Sequence, residues 1–226
     1  MPITSDASSG LRFLHTSTIV HRDVKPTNLL VFSLSSSETV VAKLTDFGSA
    51  RVAKGNLMTA NKAGIMQMAS NDRSGLEGTP IYMAPELFDG SARPNEATDV
   101  HALGMTFYET TSFVEPYTEI AFPWDIAKAV VAGKRPEWPA ERRVPDWFAA
   151  LVRRMWAPDA ATRPVVQDVL LELDAHDADA DSDSDGDKRS SVDDIVRKLS
   201  LRERQRSENE DENDEEENDF ESFQSE

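Results

Sequence analysis

The sequence has 226 residues, with 41 acidic and 24 basic side chains, a net charge of −17 and no cysteine. The length fits one domain with an extension, or two small domains. The missing cysteine excludes disulfides, thiolate catalysis and thiolate metal sites. The N-terminus has neither a basic region nor an apolar run, and no stretch approaches the ~18 apolar residues that cross a bilayer. We expect a reducing, cytoplasmic or nuclear setting, without membrane or nucleic-acid partners.

The negative charge is concentrated toward the C-terminus. Residues 174–226 hold 21 acidic and 7 basic side chains, whereas residues 1–173 hold 20 and 17. Low-complexity acidic sequence cannot bury a core, so it stays solvated. We predict a flexible N-terminus at 1–9, a domain at 10–173, and a disordered acidic tail at 174–226 that includes a short helix at 192–200.

The most informative stretch is HRDVKPTNLL, which begins at His21 and ends at Leu30. Asp23 supplies a carboxylate that can accept hydrogen bonds, and Asn28 supplies an oxygen of the type that binds hard cations. Lys25, between them, is a compact and mobile positive charge. A polar surface loop can carry the same tripeptide by chance, so this stretch alone leaves both interpretations open.

Two more short motifs follow in order, DFG at residues 46–48 and APE at residues 84–86. Together with H-R-D-x-x-x-x-N they resemble the protein kinase family, whose members transfer phosphate from ATP. The separation of 23 positions from Asp23 to Asp46 suits the kinase spacing. Three motifs in the right order make chance a poor explanation.

The resemblance implies two cofactors, ATP and Mg²⁺. Asp23, Lys25 and Asn28 would then be catalytic. Asn28 and Asp46 would hold the metal, and Leu30 would lie beneath the adenine. Three other residues of the same motifs would have structural roles: His21, Arg22 and Phe47.

The segment GTPIYMAPE is the most specific match after HRDVKPTNLL, which corresponds to the family's catalytic loop. In the family this segment receives the substrate peptide. The resemblance implies that Thr79 forms hydrogen bonds toward Asp23 and Lys25. Glu86 is expected to form a buried pair with Arg163, and the carboxylate of Asp99 to accept backbone hydrogen bonds from the catalytic loop. The pattern around Lys25 and Thr79 favours serine or threonine over tyrosine as the acceptor.

Apolar spacing predicts the elements around these motifs. The stretches 29–32 and 39–44 are short, apolar and β-branched, which predicts a hairpin. Lys43 imitates the lysine of the family's V-A-I-K strand, but its place immediately before LTDFG excludes that role. A helix from Asp99 should be buried nearly all round. Three later helices follow, with Val131 and Val165 among the residues expected to face inward.

The stretch between the DFG and APE motifs has mixed polarity and no firm period, which predicts a mobile loop. Three hydroxyl residues in it are candidate phosphorylation sites, although ordinary loop hydroxyls are the commoner case: Thr59, Ser70 and Ser74.

The resemblance covers residues 10–173 and corresponds to the large lobe of a kinase. No G-x-G-x-x-G motif occurs, and GLRFLH resembles only the last part of the helix before the catalytic loop. We therefore expect a mainly α fold with a short β-hairpin, a missing small lobe, and a chain that begins inside a domain. KRPEWP and ALVRRMWAPDAATRP resemble the tyrosine-kinase-like branch.

Three functions are compatible with this pattern. The first is a protein serine/threonine kinase domain whose small lobe lies upstream, with ATP and a protein as substrates and with that lobe or a partner protein as its binding partner. The second is a lobe-only module that binds partners without catalysis. The third assigns the function to the acidic tail as an interaction arm. Intact Asp23, Lys25, Asn28 and Asp46 favour the first.

Overall fold

The computed structural model describes residues 2–33, 40–53, 79–88 and 92–182. Its helices are α1 Pro2–Thr16, α2 Pro85–Phe88, α3 Glu96–Ser112, α4 Pro123–Val131, α5 Asp146–Met155 and α6 Val166–Ser182. Its strands are β1 Ile19–Val20, β2 Leu29–Ser33, β3 Val40–Leu44 and β4 Arg51–Val52. The predicted combination of mainly helices with one short hairpin is confirmed. None of the described helices is both long and apolar enough to span a bilayer.

The chain divides into two units, Met1–Ser182 and Asp183–Glu226. The second unit, including the predicted helix at 192–200, lies outside the described residues. The first unit continues past the predicted boundary, since α6 runs through 174–182. His176 stacks on Trp147 there, with ring centroids 4.0 Å apart. That contact attaches the last turns of α6 to the side of α5.

The N-terminus is helical, so the prediction of a flexible segment at 1–9 is wrong. One face of α1 is buried, through Ile3, Ala7, Leu11 and Leu14, and packs against β3 and α6. The hydroxyl of Ser8 donates to the carbonyl of Thr4 at 2.8 Å, which satisfies it inside the helix. The serine and threonine residues had obscured this apolar spacing.

Strands β2 and β3 form the predicted hairpin, with Leu29 opposite Leu44 and Ser33 opposite Val40. The predicted strand bounds are correct to within a residue, and the residues between the strands lie outside the described ranges. The Asp6 carboxylate accepts the N–H of Ala42 at 2.8 Å. This bond ties the edge of the hairpin to α1. A second short pair, β1 with β4, is also antiparallel.

Helix α3 is buried nearly all round, as predicted, and it begins at Glu96, three residues before the predicted start. Asn95 caps it by accepting the N–H groups of Ala97 and Thr98, while Thr98 Oγ1 accepts the N–H of Asn95. Phe113 ends the helix in a left-handed conformation, φ 57°. Buried residues occur on every side, including Val100, Leu103, Met105, Phe107 and Tyr108. Phe107 stacks on Phe148 of α5 at 5.7 Å.

Two residues predicted to face inward are exposed. Val131 is 48% exposed although Val130 is buried, because each helical residue is rotated by about 100° from the one before it. Val165 is 59% exposed and lies just before the first residue of α6, whereas Val166 is buried. In each of these two helices, the buried face therefore contains one residue fewer than the apolar run in the sequence.

A buried ion pair joins α2 to the turn that precedes α6. The guanidinium of Arg163 donates to both carboxylate oxygens of Glu86, at 2.7 and 2.8 Å. Arg163 also donates to the carbonyls of Ala157 and Ala97. This bidentate geometry leaves little of either charge unsatisfied, which is the condition under which a buried pair is tolerated.

We predict that Arg163→Ala lowers the free energy of unfolding by about 3–5 kcal/mol, because it leaves the Glu86 carboxylate buried without its partner. Urea unfolding of the two proteins measures the loss. Arg143→Ala is the matched control, since Arg143 is exposed, and it should change stability by less than about 0.5 kcal/mol. Equal losses in the two variants would contradict the prediction.

His101 lies in α3 with no exposed surface. Its Nδ1–H donates to the carbonyl of Tyr82 at 3.3 Å, and its Nε2 has no hydrogen-bond partner among the described residues. Burial first, and then the charges of Arg163 and Arg135, hold the pKa of His101 well below its ordinary value of 6.5. The folded protein therefore keeps this imidazole neutral.

This pKa predicts a loss of stability in mild acid. The unfolded chain binds a proton at His101 below pH 6.5 and the folded chain does not, so stability falls as pH falls below that value. Between pH 7.5 and 5.5 the wild type should lose up to about 1.4 kcal/mol more than His101→Phe. Urea unfolding at both pH values measures these losses. Equal losses of unfolding free energy in the two proteins would show that His101 does not cause the acid sensitivity.

Candidate active site

The carboxylate of Asp99 holds the start of the loop that begins at His21. It accepts the backbone N–H groups of His21 and Arg22, both at 2.8 Å, and Nε2 of His15 lies 3.0 Å from it. Asp99 is 1% exposed and sits in the first turn of α3. Arg22 adopts a positive φ of 75°, which turns the chain from β1 into the loop.

Sequence reasoning anticipated the backbone contacts of Asp99 and missed His15. The two residues are 84 positions apart, and a histidine in the last turn of an apolar helix carries no local sign of its partner. The structure shows that α1 reaches this anchor, which links three separate parts of the chain.

Asp23, Lys25 and Thr79 form a closed hydrogen-bonded triangle. Lys25 Nζ lies 2.8 Å from Asp23 Oδ2 and donates to Thr79 Oγ1 at 3.0 Å. The Thr79 hydroxyl donates in turn to Asp23 Oδ1 at 3.2 Å. A carboxylate has about four acceptor positions, so Asp23 keeps capacity for one further hydroxyl group. The structure thus brings together the three residues that the sequence assigned to one site.

Asn28 and Asp46 offer oxygen atoms suited to a hard cation. The amide nitrogen of Asn28 donates to Asp23 O at 2.8 Å and to Asp23 Oδ2 at 3.3 Å. Both amide hydrogens are thereby used, and Asn28 Oδ1 remains as an acceptor. Asp46 is exposed, with φ 58°, and one of its oxygens accepts the N–H of Gly48 at 3.2 Å.

The oxygen atoms that could coordinate a metal at this site are of the type that Mg²⁺ prefers, although they are few. Among the described residues, no group of three or more His, Cys, Asp or Glu side chains could hold a metal by itself. Magnesium is usually bound through one or two carboxylates together with phosphate oxygens and water. The arrangement therefore fits a metal that arrives with a nucleotide.

Several other predicted residues lie in the loop that begins at His21, in the β2–β3 hairpin and in the DFG motif. The rings of His21 and Phe47 are 5.5 Å apart. Leu30 is 50% exposed on β2. Lys43, on the neighbouring strand, lies with its Nζ 5.5 Å from the centre of the Phe32 ring. The candidate phosphorylation sites Thr59, Ser70 and Ser74 lie outside the described residues.

A contact that sequence reasoning missed supports the segment after Thr79. Tyr82, in a 3-10 turn at Pro80–Tyr82, donates its hydroxyl to Glu109 Oε2 of α3 at 2.6 Å. Together with the Glu86–Arg163 pair, this bond fixes the segment on the helical core. A tyrosine within an otherwise apolar turn was the available signal, because a buried tyrosine hydroxyl usually finds a partner.

The chain matches the family model described as protein kinase domain, over residues 2–172. It is 30% identical over 171 residues to the probable serine/threonine-protein kinase pats1 of Dictyostelium discoideum. It is 34% identical over 156 residues to the probable kinase gdt9 of the same organism. It is 32% identical over 174 residues to serine/threonine-protein kinase SSK22 of Saccharomyces cerevisiae.

The chain therefore belongs to the protein kinase domain family, a family of ATP-dependent phosphotransferases. The aligned parts make up 75%, 69% and 75% of this chain, respectively. They make up only 5%, 9% and 13% of the three relatives. The similarity thus concerns one domain of much longer proteins.

We predict that Asp99→Ala lowers the free energy of unfolding by about 3 kcal/mol or more. It leaves the N–H groups of His21 and Arg22 without their charged acceptor, and each unsatisfied buried group costs about 1–3 kcal/mol. Glu96→Ala is the matched control, because Glu96 lies in the same first turn of α3 and is exposed. Urea unfolding decides, and a loss no larger than that of the control would show that Asp99 is not the anchor.

Proposed function

We propose that residues 10–173 form the large lobe of a protein serine/threonine kinase of the tyrosine-kinase-like branch. The reaction is transfer of the γ-phosphate of ATP to a protein hydroxyl group. The observation that carries the proposal is the closed triangle of Asp23, Lys25 and Thr79. A polar surface loop has no reason to bring its carboxylate and its ammonium within 3.2 Å of a hydroxyl that is 54 or more positions away along the chain.

In this proposal each side chain of the triangle has a separate task. Asp23 accepts a hydrogen bond from the substrate hydroxyl and orients it toward the phosphorus atom. Lys25 places its positive charge beside the phosphate oxygens on which negative charge develops. Thr79, which both accepts from Lys25 and donates to Asp23, holds the two at a constant separation.

Asn28 and Asp46 would hold Mg²⁺ through Asn28 Oδ1 and the Asp46 carboxylate. Bound there with the nucleotide, the metal neutralises charge on the phosphates. Leu30 would support the adenine from below, which agrees with its exposed position on β2.

The serine/threonine assignment is supported by the relatives, all three of which carry that name. Lys25 and Thr79 support it as well, because their hydrogen bonds hold both side chains beside Asp23, within reach of a short acceptor. The assignment to the tyrosine-kinase-like branch rests on the KRPEWP and ALVRRMWAPDAATRP segments.

We propose further that a small lobe, upstream in the same protein or on a partner, covers the nucleotide side of this lobe. Three apolar side chains that follow Asn28 or Asp46 closely in the sequence support this, because they are exposed: Leu30 at 50%, Phe32 at 43% and Phe47 at 53%. Exposed apolar groups that form a contiguous patch mark interaction surfaces. A cytoplasmic or nuclear location, with a protein substrate and no nucleic-acid or membrane partner, completes the proposal.

We predict that the present chain transfers phosphate weakly and that a version extended upstream by a small lobe transfers it efficiently. Positioning of the reactants contributes about 7–11 kcal/mol in well-ordered sites, and one lobe positions only one side of the nucleotide. Transfer from radiolabelled ATP to a general protein substrate measures activity, and phosphoamino-acid analysis separates phosphoserine and phosphothreonine from phosphotyrosine.

The controls for this assay are Asp23→Asn, which should abolish transfer, and Asp174→Asn, which should not, since Asp174 is exposed on α6. Efficient, Asp23-dependent transfer by the short chain would contradict the need for a second lobe. Phosphotyrosine as the product would contradict the substrate class. Absence of transfer by both lengths would favour the binding module, for which the exposed side chains of the hairpin are the supporting observation.

A further inference from the structure

Thr45 holds the backbone carbonyl of Asn28 with two donors. Its N–H group lies 2.8 Å from Asn28 O, and its hydroxyl donates to the same oxygen at 3.1 Å. A carbonyl oxygen has two lone pairs, so this one residue satisfies both. Thr45 also immediately precedes Asp46. It is therefore hydrogen-bonded to one of the two proposed metal-holding residues and covalently joined to the other.

The carbonyl of Thr45 is held as well. It lies 3.0 Å from Nε2 of His21, which is fully buried. The backbone N–H of His21 donates in turn to Asp99. Thr45 is thus connected through one histidine to the anchor in α3, and its position follows from the helical core.

The hydroxyl matters because of where the hairpin ends. The paired residues of β2 and β3 finish at Leu29 and Leu44, and the bond between Thr45 N–H and Asn28 O is the next step beyond them. The chain then turns sharply, since Asp46 has φ 58°. A single N–H bond at the end of a ladder still allows the two strands to pivot. The hydroxyl adds a second link at the same atom and restricts this movement.

The side chain of Asn28 depends on the same backbone. Its amide nitrogen is used by two oxygens of Asp23, and no described group donates to Oδ1. The direction of Oδ1 therefore depends on two contacts of Asn28. Asp23 holds its side-chain amide nitrogen, and Thr45 holds its backbone carbonyl.

We propose that Thr45 is a positioning residue that fixes the separation of Asn28 and Asp46 and so sets the affinity of the site for a divalent cation. The inference rests on the proposed function, which assigns those two residues to the metal. Groups that orient metal ligands change metal affinity by about 10–100-fold when they are removed. We expect the lower end of that range, because the N–H bond of Thr45 remains in a variant without the hydroxyl.

The test uses the full chain with Mn²⁺ in the presence of ADP, because the site has few oxygen ligands of its own and Mn²⁺ accepts the same oxygen ligands as Mg²⁺. Mn²⁺ broadens the NMR signals of nearby backbone amides, so the signals of Leu29 and Leu30 report binding at this site. The amide of Val169 in α6 is the internal control. The acidic residues from Asp174 onward also attract Mn²⁺, and a readout specific to position separates the two events.

Thr45→Val keeps the shape and the N–H group but removes the hydroxyl, and it should raise the Mn²⁺ concentration for half-maximal broadening about tenfold. Thr45→Ser, which restores a hydroxyl, should return it to within about twofold of the wild type. Thr45→Ala is a second variant without the hydroxyl, for use if valine disturbs folding. A half-maximal concentration that is equal in Thr45→Val or Thr45→Ala and the wild type would overturn the proposal.

Asp46→Asn separates this proposal from the proposed function. If the wild type shows selective broadening that Asp46→Asn removes, the metal site stands and the Thr45 variants decide on Thr45 alone. If the wild type shows no selective broadening at Leu29 and Leu30, the metal assignment fails, and the role of Thr45 fails with it.

Discussion

The buried carboxylate of Asp99 connects the helical core to the candidate site. An ionised carboxylate away from water is unfavourable unless donors surround it, and this one has the N–H groups of His21 and Arg22 and the ring of His15. Because Asp99 lies on α3, the most deeply buried helix, the loop that carries Asp23 takes its position from the core. Packing far from the chemistry thus determines the geometry of the site.

The segment that carries Thr79 is held by the same helix through a different bond. Tyr82 donates to Glu109 of α3, and the Glu86–Arg163 pair fixes the end of the segment. Catalytic side chains on loops need this kind of rigid support, because a displacement of about 1 Å can cost a factor of about 100 in rate. On β2 of the hairpin, Leu30 and Phe32 are exposed, which is why the proposal assigns a second lobe to that surface.

The sequence alone determined the class of the protein and much of its local structure. Asp23, Lys25 and Asn28 stand at the spacing of the H-R-D-x-x-x-x-N motif, which can be recognised without coordinates. The hairpin was predicted to within a residue, and the all-round burial of α3 was predicted as well. These features depend on residue type and on periodicity over a few neighbouring positions, so the linear pattern contains them.

Only the tertiary structure decided which faces are covered and which distant groups meet. Pro2 begins a helix where a polar, flexible segment was expected, because β3 and α6 cover its apolar side. Val131 is exposed because it is rotated by about 100° from the buried Val130, and the periodicity does not state how wide the contact of α4 is. His15 reaches Asp99, and the hydroxyl of Thr45 reaches Asn28, across 84 and 17 residues respectively. Such contacts arise from the packing of whole elements, which local sequence does not encode.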